Sequence, residues 1–271
     1  MSKRRSRLPL LGTLSAVAVA VLLVVGLRVG THKPSAAETM FVDNFDGPAG
    51  QAPDPGRWGE WSTCTYNDSA SYGDIKCGSR SSLDGQGHLL VRATPGTGTS
   101  ISTGGHFSFV YGEASAWIKM PSAVGYWPAF WTLNSDPSGK TQNPNGEIDV
   151  LETYTTFPTV YHRGTHNWNA GDLAWGSPGD PRCGNVDLSA AFHKYSVRVE
   201  PRRVTFFFDD VQCGDVVTKA DGQGKPYQLG PDNPAGSWLL LSLAIGGADG
   251  QQKPPTEPAA MVVDSVEVKG L

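Results

Sequence analysis

Asn145-Gly146-Glu147-Ile148-Asp149-Val150-Leu151-Glu152-Thr153-Tyr154 sets three carboxylates into a run that otherwise has the composition of a buried strand. Ile148, Val150 and Leu151 are apolar and two of them are β-branched, which gives the segment strand propensity. Side chains alternate along a strand, so Glu147 and Asp149 share a face, while Glu152, five residues from Glu147, falls on the other. A β-bulge at Val150-Leu151 removes the conflict. The extra residue returns Glu152 to the face of the other two acids, and bulges recur beside active sites, where they re-aim a side chain. The alternative, surface carboxylates on a solvated edge strand, fits poorly with such apolar neighbours.

With the bulged pair counted as one step, the Cα atoms of Glu147 and Glu152 lie roughly 13 Å apart at ~3.3 Å per residue. Two Glu side chains leaning together across a concave sheet close that to a carboxyl separation of about 5 to 6 Å, the spacing of retaining rather than inverting glycoside cleavage.

Around this stretch the chain reads as short strands divided by turns, with almost no helical periodicity. Strands are expected over Met40–Phe45, Gly87–Ala93, Phe107–Met120, Gly125–Leu133, Tyr161–Trp168, Phe192–Glu200, Val204–Asp209, Trp238–Ile245 and Met261–Lys269. Ten or so strands without helices predict an all-β sandwich of two stacked antiparallel sheets.

The first residues carry Lys3, Arg4, Arg5 and Arg7, followed by an uncharged apolar run from Leu8 to Leu27. This is an export signal, or an amino-terminal membrane anchor through residues 8–27, with Ser35-Ala36-Ala37 as a small-residue cleavage site. Either way the remainder, residues 38–271, is expected outside the cytoplasm, secreted or membrane-anchored, as one monomeric catalytic domain. That remainder carries 16 basic against 26 acidic side chains, a net of −10, so nucleic acid and other polyanions are poor partners. A local basic patch from Arg80, Lys140 or Arg163 is the feature that would override that field. Cys64, Cys77, Cys183 and Cys213 are an even set in an exported chain; three connectivities are possible, and the shorter loop closures favour Cys64 with Cys77 and Cys183 with Cys213. Their spacings match no zinc pattern, and no His-Glu-x-x-His run is present.

Six motifs taken together carry a family resemblance. They are Phe41-Val42-Asp43-Asn44-Phe45-Asp46-Gly47, Tyr111-Gly112-Glu113 with Lys119-Met120-Pro121, Trp127-Pro128-Ala129-Phe130-Trp131, Glu147 to Glu152, Ala244-Ile245-Gly246-Gly247, and Met261 to Val266. In this order they resemble glycoside hydrolase family 16, the laminarinase-like β-glucanases. The resemblance implies a concanavalin-like jelly-roll whose concave sheet forms a cleft for an extended polysaccharide. It implies Glu147 as nucleophile, Glu152 as acid and base, and Asp149 between them as the group that tunes their protonation. Like charge raises the proton affinity of a flanked carboxylate, which keeps Glu152 protonated while Glu147 stays ionised. The resemblance implies no cofactor for catalysis, and a structural calcium at Asp264 with backbone oxygens near Asp43 and Gly87.

Trp127 and Trp131, four apart, share one strand face opposite Pro128 and Phe130 and suit stacking on sugar rings. His166 and Trp168 share a face by the same parity, and His166 is placed to bond Asp149 or substrate. The expected reaction is retaining endo-cleavage of β-1,3, or β-1,3 and β-1,4, glucan linkages. Ser115, Trp117, Ser242 and Thr165 to Trp168 depart from the family pattern, which keeps β-galactan cleavage or transglycosylation as an alternative. A catalytically silent carbohydrate-binding sandwich is the non-enzymatic one.

Overall fold

Alternation of buried and exposed side chains builds the molecule. Leu89, Val91 and Ala93 are fully buried, and so are Ala114 and Ile118. Their sequence neighbours point outward, as a sheet with one face on a core requires. The computed structural model describes residues 37–60, 76–78, 80–135, 142–166, 174–176, 183–201, 203–217, 235–246 and 253–271. Among them there is no helix, and sixteen strands form two sheets packed face to face.

The first sheet runs β14 (Val211–Val217), β13 (Arg203–Phe208), β12 (His193–Glu200), β7 (Gly112–Lys119), β16 (Ala259–Lys269), β5 (Leu89–Ala93), β4 (Ser82–Leu83), and β1 (Thr39–Asp43) also pairs with β16. The second runs β11 (Ala174–Gly176), β10 (His162–His166), β9 (Gln142–Glu152), β8 (Tyr126–Ser135), β15 (Ser237–Ile245), β6 (Thr97–Ser102), β2 (Gly59–Glu60). These pairings are antiparallel, while the short β3 (Lys76–Cys77) lies parallel to β6. Phe45, Leu89, Ile118, Tyr126, Phe130, Tyr195 and Leu241 fill the space between the sheets with essentially no exposure. The expected all-β sandwich is what the chain forms, and all ten expected strands are present.

Two differences have physical causes. The strand expected from Phe107 begins only at Gly112, because the residues before it turn to the other sheet; at Gly112 itself a Cβ would lie 2.5 Å from the Lys269 carbonyl oxygen of β16. Phe109 makes only an isolated bridge to Ser237. The sequence also hid β6 and β14. The first reads Thr-Gly-Thr-Ser-Ile-Ser and is buried on both faces from Gly98 to Ser102, so it has no apolar alternation to detect. The second is bent by a register shift beside Gly214.

Cys183 and Cys213 form a disulfide across 30 residues, the pairing that the shorter loop closure favours. The partner expected for Cys77, Cys64, lies outside the described residues, as do residues 1–36 and Lys140. Arg163 does not serve a basic patch: it is 7% exposed, with its guanidinium donating to the Cys213 carbonyl oxygen.

Candidate active site

β9 crosses the second sheet with its acids on the face away from the core. Ile148, Val150 and Leu151 point inward and are buried, whereas Glu147 is half-buried and opposite in direction. On the β8 side, Leu133 faces Glu147, Trp131 faces Asp149, Phe130 faces Leu151 and Ala129 faces Glu152. One step on β8 therefore matches two on β9, and Val150 is the extra residue. The β10 side repeats the irregularity, because Gly164 faces Asp149 and His162 faces Glu152. This is the bulge that the parity of the sequence demands, and it puts all three carboxylates on one face.

Gly146 precedes the first acid for a steric reason: a Cβ at this position would collide with the Asn134 side chain, whose Oδ1 accepts a 2.8 Å hydrogen bond from the Ser237 hydroxyl. The strand entry is thus fixed before Glu147 is reached. His166, opposite Glu147 in register, brings Nε2 to 2.9 Å from Asp149 Oδ2, with both side chains 8% exposed. One donor atom from each of Glu147, Asp149 and His166 falls within 4.8 Å of the others.

Glu152 is a strongly perturbed acid. It is 5% exposed, and its pKa is pushed up to about 8, first by burial and then by the charge of Asp149. Hydrogen bonds from Tyr154 and Trp127 and the positive side of His166 pull the other way without cancelling these effects. A carboxyl of this kind holds its proton at neutral pH and can deliver it. The site thus pairs a half-exposed acid with a buried, protonated one, each reached from the same face.

Trp127 and Trp131 stand on this face too, and Phe130 lies fully buried behind them. Trp131 donates its indole N–H to Ser242 Oγ at 2.9 Å, and Ser242 Oγ lies 2.6 Å from Ser100 Oγ. Leu133, Trp238 and Leu240 pack beside Trp131. Trp168 lies outside the described residues. Asp264 sits elsewhere, on the first sheet at a register shift of β16. It is half exposed, with Oδ1 3.8 Å from His88 Nε2 and Oδ2 accepting from Ser265.

Residues 69–260 match the sequence model of glycosyl hydrolases family 16. The chain belongs to glycosyl hydrolase family 16. A beta-glucanase of Rhodothermus marinus is 30% identical over 184 residues, which is 64% of this chain and 62% of that protein. A glucan endo-1,3-beta-glucosidase of Niallia circulans is 30% identical over 181 residues, 62% of this chain and 25% of that protein. The family-16 chain therefore spans less than two thirds of the length of these relatives. Among solved structures, the endo-1,3-beta-glucanase of Streptomyces sioyaensis superposes with a TM-score of 0.68 at 26% identity, covering 87% of this chain and 97% of that one.

Within this family-16 fold, the departures from the motif pattern separate by face. Ser115 and Trp117 alternate with the core residues Ala114, Ala116 and Ile118 on β7, so they lie on the outer surface of the first sheet and cannot read a sugar beside the acids. Thr165 is fully buried opposite Ile148 and also lies off the site face. Among the described residues of that set, only Ser242 and His166 reach it. Tyr154 and Ser100 are site residues that sequence reasoning did not place. For Tyr154 the usable signal was its position two residues beyond the last acid; for Ser100, in a strand without pattern, there was none.

Proposed function

We propose that the chain is a retaining endo-glycoside hydrolase cleaving β-1,3 linkages of glucan, and mixed β-1,3/1,4 glucan as well. The observation that carries the reading is the bulge at Val150, which places half-exposed Glu147 and buried, proton-holding Glu152 on one face with Asp149 between them.

In the first step a Glu147 carboxylate oxygen attacks the anomeric carbon, and the bond to the leaving sugar breaks as Glu152 gives its proton to the departing oxygen. The second step reverses the geometry: Glu152, now ionised, takes a proton from water, which attacks the same carbon and releases Glu147. Asp149 raises the proton affinity of Glu152, and His166 holds Asp149 in place. Trp127 and Trp131 present aromatic surface along the path of an extended chain.

The beta-glucanase and endo-1,3-glucosidase names of the relatives support a β-glucan substrate. The galactan alternative loses three of its supports, since Ser115 and Trp117 face away from the acids and Thr165 turns into the core. On sequence grounds we place the enzyme outside the cytoplasm, secreted or anchored. We extend the proposal to a calcium at Asp264, whose half-exposed carboxylate would supply a hard oxygen ligand.

The test is incubation with laminarin, lichenan and galactan, with the first products followed by proton NMR. Oligosaccharides from laminarin released first as the β-anomer support the reading, and loss of turnover in Glu147→Gln and Glu152→Gln completes it. Release of the α-anomer, or cleavage of galactan alone, would refute it.

A further inference from the structure

Glu152 ends β9, and the residues after it are pinned in alternation. The Thr153 N–H donates to the Pro128 carbonyl at 3.2 Å, and the Thr153 hydroxyl donates to the Val160 carbonyl at 2.6 Å. Thr155 bonds Tyr126 through both its backbone N–H and its hydroxyl. Tyr154, between these two anchors, has one direction left, back over the acid. Its ring lies 5.7 Å from that of Trp127 and 5.5 Å from that of His162, and it is 3% exposed. Its hydroxyl donates to Glu152 Oε1 at 3.1 Å.

We infer that Tyr154 is a positioning residue for the acid/base carboxyl: by donating to Oε1 it favours the Glu152 proton on Oε2, the oxygen that the tyrosine does not bond. The inference rests on the acid/base reading of Glu152. The carbonyl oxygen of a carboxylic acid accepts a hydrogen bond better than its hydroxyl oxygen does, so the tyrosine donor biases which oxygen carries the proton that is given away. When Glu152 has delivered that proton, the same bond becomes charge-assisted and stronger. Tyr154 therefore stabilises the ionised form that must next act as base. It makes Glu152 a better acid in the first step and keeps it aligned for the second.

Among the described residues, the ionisable groups facing Glu152 are Asp149 and Glu147 on its own strand and His162 and His166 on β10. None of them changes in Tyr154→Phe, which deletes only the hydroxyl. The alkaline limb of kcat/KM reports the Glu152 proton, and losing a donor to the ionised form moves that limb upward.

The experiment compares wild type and Tyr154→Phe on laminarin and on an aryl β-laminaribioside with a dinitrophenyl leaving group, across pH 5 to 10. The expected result is a limb shifted up by about half to one pH unit. It is accompanied by a kcat on laminarin lowered about 10-fold and, with a leaving group that needs no protonation, a glycosylation rate lowered less than about twofold. An unmoved limb, or equal losses on the two substrates, overturns the inference. Should Tyr154→Phe fail to fold, 3-fluorotyrosine placed at position 154 is a stronger donor and must move the limb down; no movement overturns the inference. A wild type inactive on both substrates would instead sink the function on which the inference rests.

Discussion

Glu152→Gln keeps the shape of a side chain that is 5% exposed and removes its ability to ionise. In the wild type this carboxyl has its pKa pushed up to about 8 from an ordinary 4.5, by burial and by Asp149. The folded state therefore binds a proton that the unfolded chain has released throughout the interval between those values. Stability is fully present below pH 4.5 and is lost progressively as pH rises to about 8, because folding must then bury a charge. At 1.36 kcal/mol per pH unit, the loss is on the order of 4 to 5 kcal/mol. Gln escapes it, but its amide can present an N–H to Trp127 in place of an acceptor, which costs about 1 kcal/mol at every pH. The variant should thus be more stable than wild type by roughly 3 kcal/mol at pH 9, about 6 to 12 °C in Tm for a domain of this size. At pH 4 the advantage should vanish. Differential scanning calorimetry of both proteins from pH 4 to 9 measures this directly. A Tm difference that stays constant over the range would refute the reasoning, because a carboxyl of ordinary pKa gives no such slope.

His166→Ala removes the imidazole beside Asp149 whose electrostatic effect lowers the Glu152 pKa, so Glu152 should hold its proton more tightly and the alkaline limb of kcat/KM should rise by about half a pH unit or more. Removing the Ser242 hydroxyl deprives the Trp131 indole of its acceptor. Ser242→Ala should raise KM on laminarin about fivefold in the wild type but change it less than about twofold in a Trp131→Phe background, a coupling that a double-mutant cycle measures. Replacing Cys183 and Cys213 together by Ser opens a loop of 30 residues and should lower unfolding free energy by about 3.5 kcal/mol in urea titrations.

The part of the site that sequence made legible rests on parity. Three acids spaced two and then three apart cannot share a strand face without an inserted residue, and Val150 is that residue. The same rule applied to β7 would have turned Ser115 and Trp117 to the outside, since Ala114, Ala116 and Ile118 alternate with them in the core. What the chain concealed lies in elements with no pattern or in contacts made through space. β6 has Thr, Gly and Ser where a strand search looks for Val and Ile, so the Ser100 partner of Ser242 was invisible. Tyr154 follows the strand in a polar segment, and its place over Glu152 depends on hydrogen bonds from Thr153 and Thr155 to β8 and to Val160.

Trapping the covalent intermediate tests the central claim most directly. Reaction with a 2-deoxy-2-fluoro β-laminaribiosyl fluoride, followed by peptic digestion and tandem mass spectrometry, should find a single glycosylated peptide with the sugar on Glu147. An adduct on Asp149 or Glu152, or steady turnover of laminarin by an enzyme that is never labelled, would contradict it.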